Sequence, residues 1–142
     1  MTAVDTLRRL RIPHPGIDIH DGSGLAPNDR VACPTLLAVV DLSRRPKYAA
    51  IVQGLPVAGQ SGTLALRFVG DPLAGVLHAK TGSIDGVVGL AGTVDAGDHP
   101  RFAFIANGNF SVGTGAALQA AIAHLVAEYP ESVDTKALVP AP

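Results

Sequence analysis

Lys80-Thr81-Gly82 combines a positive charge, a hydroxyl donor and a residue without a side chain. Together they suit an anion such as a carboxylate, since glycine lets a ligand approach the backbone closely. A regular strand sends neighbouring side chains to opposite faces. A joint role for Lys80 and Thr81 therefore requires an edge strand whose lysine stem curls back. Taken alone, the triplet reads first as an ordinary exposed pair before a turn. Ser23, in Asp21-Gly22-Ser23-Gly24, is the other candidate. Flanked by Asp21 and Leu25, it lacks the Gly-x-Ser-x-Gly elbow, and the stretch lacks Gly-x-Gly-x-x-Gly. A tight turn accounts for it, with a hydrolase using Ser23 and a histidine as the alternative. His14, His20, His78, His99 and His124 show no metal-ligand spacing and read as structural or solvated. Cys33 stands alone, without a disulfide or zinc partner, and is expected as a small core residue.

These residues need elements to hold them. Asp5 and Thr6 early and two arginines late suit a short helix over Val4 to Leu10, ended by Pro13 and Pro15. Ile17 to His20 alternates like a brief strand and runs into a turn-rich stretch from Asp21 to Arg30. Helices are expected from Pro34 to Val40 and from Lys47 to Val52, while Thr63 to Phe68 is ambiguous between helix and strand. Val76 to Thr81 reads as a strand, Ser83 to Gly86 as a turn, and Val87 to Val94 as a second strand. Gly89 and Gly92 there leave room for close backbone packing. After a turn over Asp95 to Pro100, Arg101 to Ala106 is a third strand, completing an antiparallel meander. A helix follows from about Thr114 to Tyr129. Its expected inner face is Leu118, Ile122, Leu125 and Tyr129, with Gln119 and Glu128 outward and Pro130 as the stop. The tail from Val139 is expected to be loose.

The chain has 142 residues, 47% of them apolar, and a net charge of −1. That is enough for one buried core. Without a basic stripe or an aromatic platform, nucleic acid is not an expected partner. The apolar run Leu36 to Val40 is far too short to span a bilayer. The first ten residues hold no apolar core of signal-peptide length, so no export signal is expected there.

Four ordered blocks resemble a known family. They are Asp21-Gly22-Ser23-Gly24-Leu25; Leu55-Pro56-Val57-Ala58-Gly59 with Gly62-Thr63-Leu64 and Arg67-Phe68; Ala79-Lys80-Thr81-Gly82-Ser83 with Gly86-Val87; and Leu90-Ala91-Gly92. In this order they resemble the C-terminal part of serine D-alanyl-D-alanine carboxypeptidases and endopeptidases. These are low-molecular-mass penicillin-binding proteins of peptidase family S13. The resemblance implies an α/β fold in the α+β sense, with a serine β-lactamase-like antiparallel sheet and flanking helices. Only its C-terminal portion is expected here, over residues 1–138, followed by the loose tail 139–142. It also implies hydrolysis of peptidoglycan peptides outside the cytoplasm, with no cofactor or metal.

In that family Ser-x-x-Lys, Ser-x-Asn and Lys-Thr-Gly converge on an acyl-enzyme serine, with backbone N–H groups at the oxyanion. Carried over, Lys80 and Asn28 are the catalytic candidates, while Thr81, Gly82 and Ser83 bind substrate. Thr81 would hold the terminal carboxylate of a stem peptide ending in D-Ala-D-Ala, or of a β-lactam. Lys80 would set the local potential, and the Ser83 N–H would be an oxyanion donor. Two departures stand out. No serine has a lysine three residues on; the nearest miss is Ser132 with Lys136. The second motif reads Ala26-Pro27-Asn28 in one register and Ser23-Gly24-Leu25 in the other, each lacking one polar side chain. The expectation is a fragment without its nucleophile, prone to self-association through exposed sheet surface. A non-catalytic module binding D-Ala peptides is the alternative.

Overall fold

The structure is a computed structural model and describes residues 2–129. Pro130 and the tail from Val139 lie outside the described residues. Helix α1, Ala3–Leu10, opens on a capping box in which Thr2 and Asp5 satisfy each other's backbone N–H groups. It ends before the prolines, in a Schellman arrangement. Arg11 takes the left-handed conformation, its N–H reaches Arg8 O and the Ile12 N–H reaches Leu7 O. The expected strand at Ile17 to His20 reduces to one antiparallel bridge, Asp18 with Arg30.

Helix α2, Cys33–Asp41, starts with a proline in its first turn and packs on the later strands of the sheet. Cys33 sits at its first position as a half-buried free thiol, not in the core. The second expected helix is split. Arg45 is extended before Pro46, as a residue preceding proline must be, and a 3-10 turn Pro46–Tyr48 precedes the short α3, Ala50–Gln53. Thr63 to Phe68 is neither helix nor strand. A 3-10 turn Gly62–Leu64 leads into further turns that close on Gly59, whose N–H reaches both Leu64 O and Arg67 O.

Strands β1 (Leu77–Ile84), β2 (Val87–Val94) and β3 (Arg101–Asn107) form the expected antiparallel meander, in that spatial order. One boundary differs. Ile84 pairs directly with Val87 around Asp85-Gly86, and Gly86 adopts φ 75°. Ser83 therefore belongs to β1, and Lys80-Thr81-Gly82 lies inside a strand instead of ending one. Gly92 faces Ala79 so closely that a Cβ there would overlap the His78 carbonyl and sit 2.7 Å from the Ala79 Cα. Gly89 is less tight, with a Cβ there 3.1 Å from Phe104 O.

Leu77, Ala79, Leu90, Val94 and Phe102 pack with Leu64, Leu73 and Ala123 as the core beneath helix α4, Val112–Ala127. Each fully buried leucine contributes about 1.5–3 kcal/mol. Ser111 caps α4 by accepting the Thr114 N–H. The face of α4 that meets the sheet is only partly the expected one: Ile122 packs against the core and Glu128 is exposed, as expected. Gly115, Gln119 and Ala123 are its buried residues, whereas Leu125 is 59% exposed and Tyr129 63%. Small residues bring the helix axis near the strands; a Cβ on Gly115 would meet Val88 at 2.6 Å. At that distance Gln119 reaches the sheet backbone. Its Nε2 donates to Gly82 O at 3.0 Å and to Gly89 O at 2.8 Å. Its Oε1 accepts from the Arg67 guanidinium at 2.7 Å, which also donates to Ala116 O at 3.1 Å. Burial lowers the Arg67 pKa, yet a guanidinium stays charged in a protein.

Two measurements check this packing. Gly92→Ala should destabilise the chain by about 3 kcal/mol in urea denaturation. Gly22→Ala, where a Cβ meets nothing within 4 Å, should stay within about 0.5 kcal/mol; similar behaviour of the two would refute the close approach. Gln119→Leu keeps volume but orphans Arg67 and two carbonyl contacts, and should cost about 2–3 kcal/mol. A neutral or stabilised Gln119→Leu would show that the amide is not holding the helix to the sheet.

Candidate functional site

In β1, successive residues present their backbone groups alternately to β2 and to the outer edge. The first part of that edge is covered by the chain before it. Ala58 N–H donates to Leu77 O at 2.9 Å, and Ala79 N–H donates to Pro56 O at 3.0 Å. The same alternation places the N–H and C=O of Thr81 and Ser83 on the outer side, where no strand pairs with them among the described residues. The lysine does curl back: Lys80 Nζ donates to Thr81 O at 2.6 Å. The Thr81 hydroxyl, on the opposite face of the strand, bonds Thr63 Oγ1 at 3.0 Å. Gly82 and Ser83 are exposed. An ammonium, two hydroxyls and unpaired backbone groups thus share one open strand edge. It can add an extended peptide through main-chain bonds and place donors around an anionic group.

Asn28 is exposed in the loop that the Asp18–Arg30 bridge closes. Asp29 accepts the His20 N–H at 2.8 Å, and Arg30 Nη1 donates to Pro27 O and Asp29 O at 2.9 Å each. Among the described residues, no hydrogen bond joins Asn28 to Lys80, Thr81 or Ser83. Ser23 is equally occupied locally. Its hydroxyl donates to Asp21 Oδ2 at 3.0 Å and accepts the Leu25 N–H at 3.1 Å. The Ser23 hydroxyl, with smaller help from backbone N–H groups, holds the Asp21 carboxyl below the usual aspartate range. The nearby His20 ring pairs with Asp18 at 3.2 Å, and no histidine bonds Ser23 among the described residues.

Three of the other four imidazoles also have partners. His14 bonds Ile12 O at 2.8 Å, His99 bonds Asp95 at 2.7 Å and His124 bonds Asp71 at 3.1 Å. Among the described residues, no cluster of three His, Cys, Asp or Glu side chains could hold a metal ion. Two clefts, of about 410 and 590 Å³, share Arg44, Asp98 and Arg101 and lie at the far end of the sheet. Neither is lined by Lys80, Thr81, Gly82 or Ser83. Sequence reasoning passed over Thr63 and Gln119. Thr63 lay inside the resemblance block Gly62-Thr63-Leu64, but only the folded chain sets it beside Thr81. No described helix is long and apolar enough to cross a membrane.

The chain is similar to known proteins in sequence and fold. The model of the D-Ala-D-Ala carboxypeptidase 3 (S13) family matches residues 2–129. A D-alanyl-D-alanine carboxypeptidase of Actinomadura sp. (strain R39) is 39% identical over 135 residues, covering 88% of this chain and 24% of that protein. Carboxypeptidase DacB of Mycolicibacterium smegmatis is 39% identical over 110 residues, covering 71% and 24%. Penicillin-binding protein 4 (dacB) of Haemophilus influenzae, solved in complex with a β-lactam, shares the fold with a TM-score of 0.75. That likeness has 24% sequence identity and covers 89% of this chain and 32% of the other. The chain spans between 15% and 26% of the length of the curated relatives it matches. By the family model and the ordered blocks it contains, the chain belongs to the D-Ala-D-Ala carboxypeptidase 3 (S13) family.

Proposed function

We propose that this chain is the substrate-strand portion of a serine-type D-Ala-D-Ala carboxypeptidase acting outside the cytoplasm. Its open β1 edge takes a peptidoglycan stem peptide ending in D-Ala-D-Ala, or a β-lactam. The observation that carries this reading is the unpaired edge at Thr81 and Ser83 with the Lys80 ammonium folded onto it. A peptide adding there bonds the Thr81 and Ser83 backbone, and its N–H replaces the ammonium on the Thr81 carbonyl. The freed Lys80 charge and the Thr81 hydroxyl then face the terminal carboxylate, charge-assisted bonds being the stronger kind. Gly82 leaves the approach clear, and the Ser83 N–H is an oxyanion donor for the scissile carbonyl. Attack needs an activated serine, and no Ser-x-x-Lys occurs in these 142 residues. Asn28 completes the site only if the loop from Asp21 to Arg30 docks beside β1.

A second reading, a binding module without chemistry, rests on the same edge and predicts the same recognition. We therefore expect a fluorescent penicillin to leave no denaturation-resistant label on this chain. A stem peptide ending in D-Ala-D-Ala should perturb the Thr81 and Ser83 amide resonances saturably. Thr81→Val should weaken that binding about tenfold, the effect of one hydrogen bond to a charged group, and Lys80→Ala should weaken it as well. A covalent label would overturn the absence of chemistry, and flat spectra would overturn the recognition site. We further propose self-association, though not through the expected sheet surface: the large apolar side chains in solvent lie outside the strands, such as Leu66 at 93% and Val112 at 87% exposure. Sedimentation should show mass rising with concentration; a monomer throughout would remove this part.

A further inference from the structure

The carboxylate-binding edge just proposed has a neighbour in Thr63, whose role rests on that reading of the edge. Thr63 is exposed, yet the turn beneath it is fixed from several sides. Leu64 is fully buried, Pro56 packs where a Cβ on Gly62 would fall at 3.0 Å, and Ser61 Oγ accepts the Val57 N–H at 2.9 Å. A solvent-facing hydroxyl is thus held by a rigid turn 3.0 Å from Thr81 Oγ1. We infer that Thr63 is a specificity-determining residue of this edge: its hydroxyl and that of Thr81 together take the free carboxylate at the end of a bound peptide.

Hydroxyl chemistry supports the pairing. Each hydroxyl has one proton to give, and in the free chain one of the two is spent between the pair. A carboxylate only accepts, and it has two oxygens for two donors. Both hydroxyls rotate to donate, and the rigid turn has already set their spacing. A C-terminal amide offers one acceptor oxygen and gains less from the second donor.

The surroundings favour a chain end over a chain interior. Residues 56–58 occupy the β1 edge alongside Leu77 to Ala79, so a peptide lying along Thr81 and Ser83 runs into Pro56. Proline has no N–H with which to extend pairing. The peptide stops there, beside Thr63.

The test titrates the full chain with a stem peptide ending in D-Ala-D-Ala, as the free acid and as the C-terminal amide, followed by amide resonances. The native chain should prefer the acid by about tenfold, and Thr63→Val should reduce that preference to about twofold, from the loss of one charge-assisted bond. Thr63→Ser, which keeps the hydroxyl, should restore it. Equal preference in Thr63→Val and the native chain overturns the inference while leaving the edge reading intact. Loss of both ligands in proportion overturns it too, since that is a purely structural effect. Failure of the native chain to bind either peptide removes the edge reading and this inference with it.

Discussion

Gln119 ties the helix behind the sheet to the backbone of its first two strands, and the candidate edge depends on that tie. Its amide donates to Gly82 O and Gly89 O, while Arg67 fixes the amide's other end. A side chain 3% exposed with each end satisfied orients well, because any other rotamer would orphan buried groups. Gly82 is the third residue of the Lys-Thr-Gly triplet, so the helix sets where that triplet sits. Gly115 and Ala123 are small for the same reason, since a larger residue at either would lift α4 and pull the amide out of reach.

The edge itself is a managed liability. An unpaired strand invites pairing with any extended chain. Here half of it is taken by residues 56–58, and the open half carries Lys80, whose ammonium sits on the carbonyl a stray strand would seek. The features that discourage indiscriminate pairing are the ones proposed to select an anionic chain end. The clefts elsewhere are larger, but the backbone donors, the hydroxyls and the charge gather at the edge.

Much of the architecture could be read from the residues, where local rules decide. Apolar runs bounded by turn residues gave Val87 to Val94 and Arg101 to Ala106 as the later strands, and early Asp5 with two late arginines gave the first helix. Errors came where a neighbour distant in sequence overrode the local pattern. Ser83 looked like the start of a turn because Gly and Asp follow it, but pairing with Val88 keeps it in β1. Thr63 to Phe68 has no period of its own because it folds against Gly59. Gln119 looked outward because a glutamine is normally solvated. It is buried because the strand backbone beneath it offers two carbonyls and Arg67 offers a donor.

By itself the sequence determined the family, through four blocks in order, and the meander that carries Lys80-Thr81-Gly82. It also settled that these residues contain no Ser-x-x-Lys. The tertiary structure decided which side of β1 is open, which hydroxyl meets Thr81, and which face of α4 is inside. Those facts turn on contacts between residues 18 to 52 positions apart, Thr63 with Thr81 and Arg67 with Gln119. Periodicity within one element carries no information about its partner. Only packing, which must satisfy every buried polar group at once, fixes such pairs.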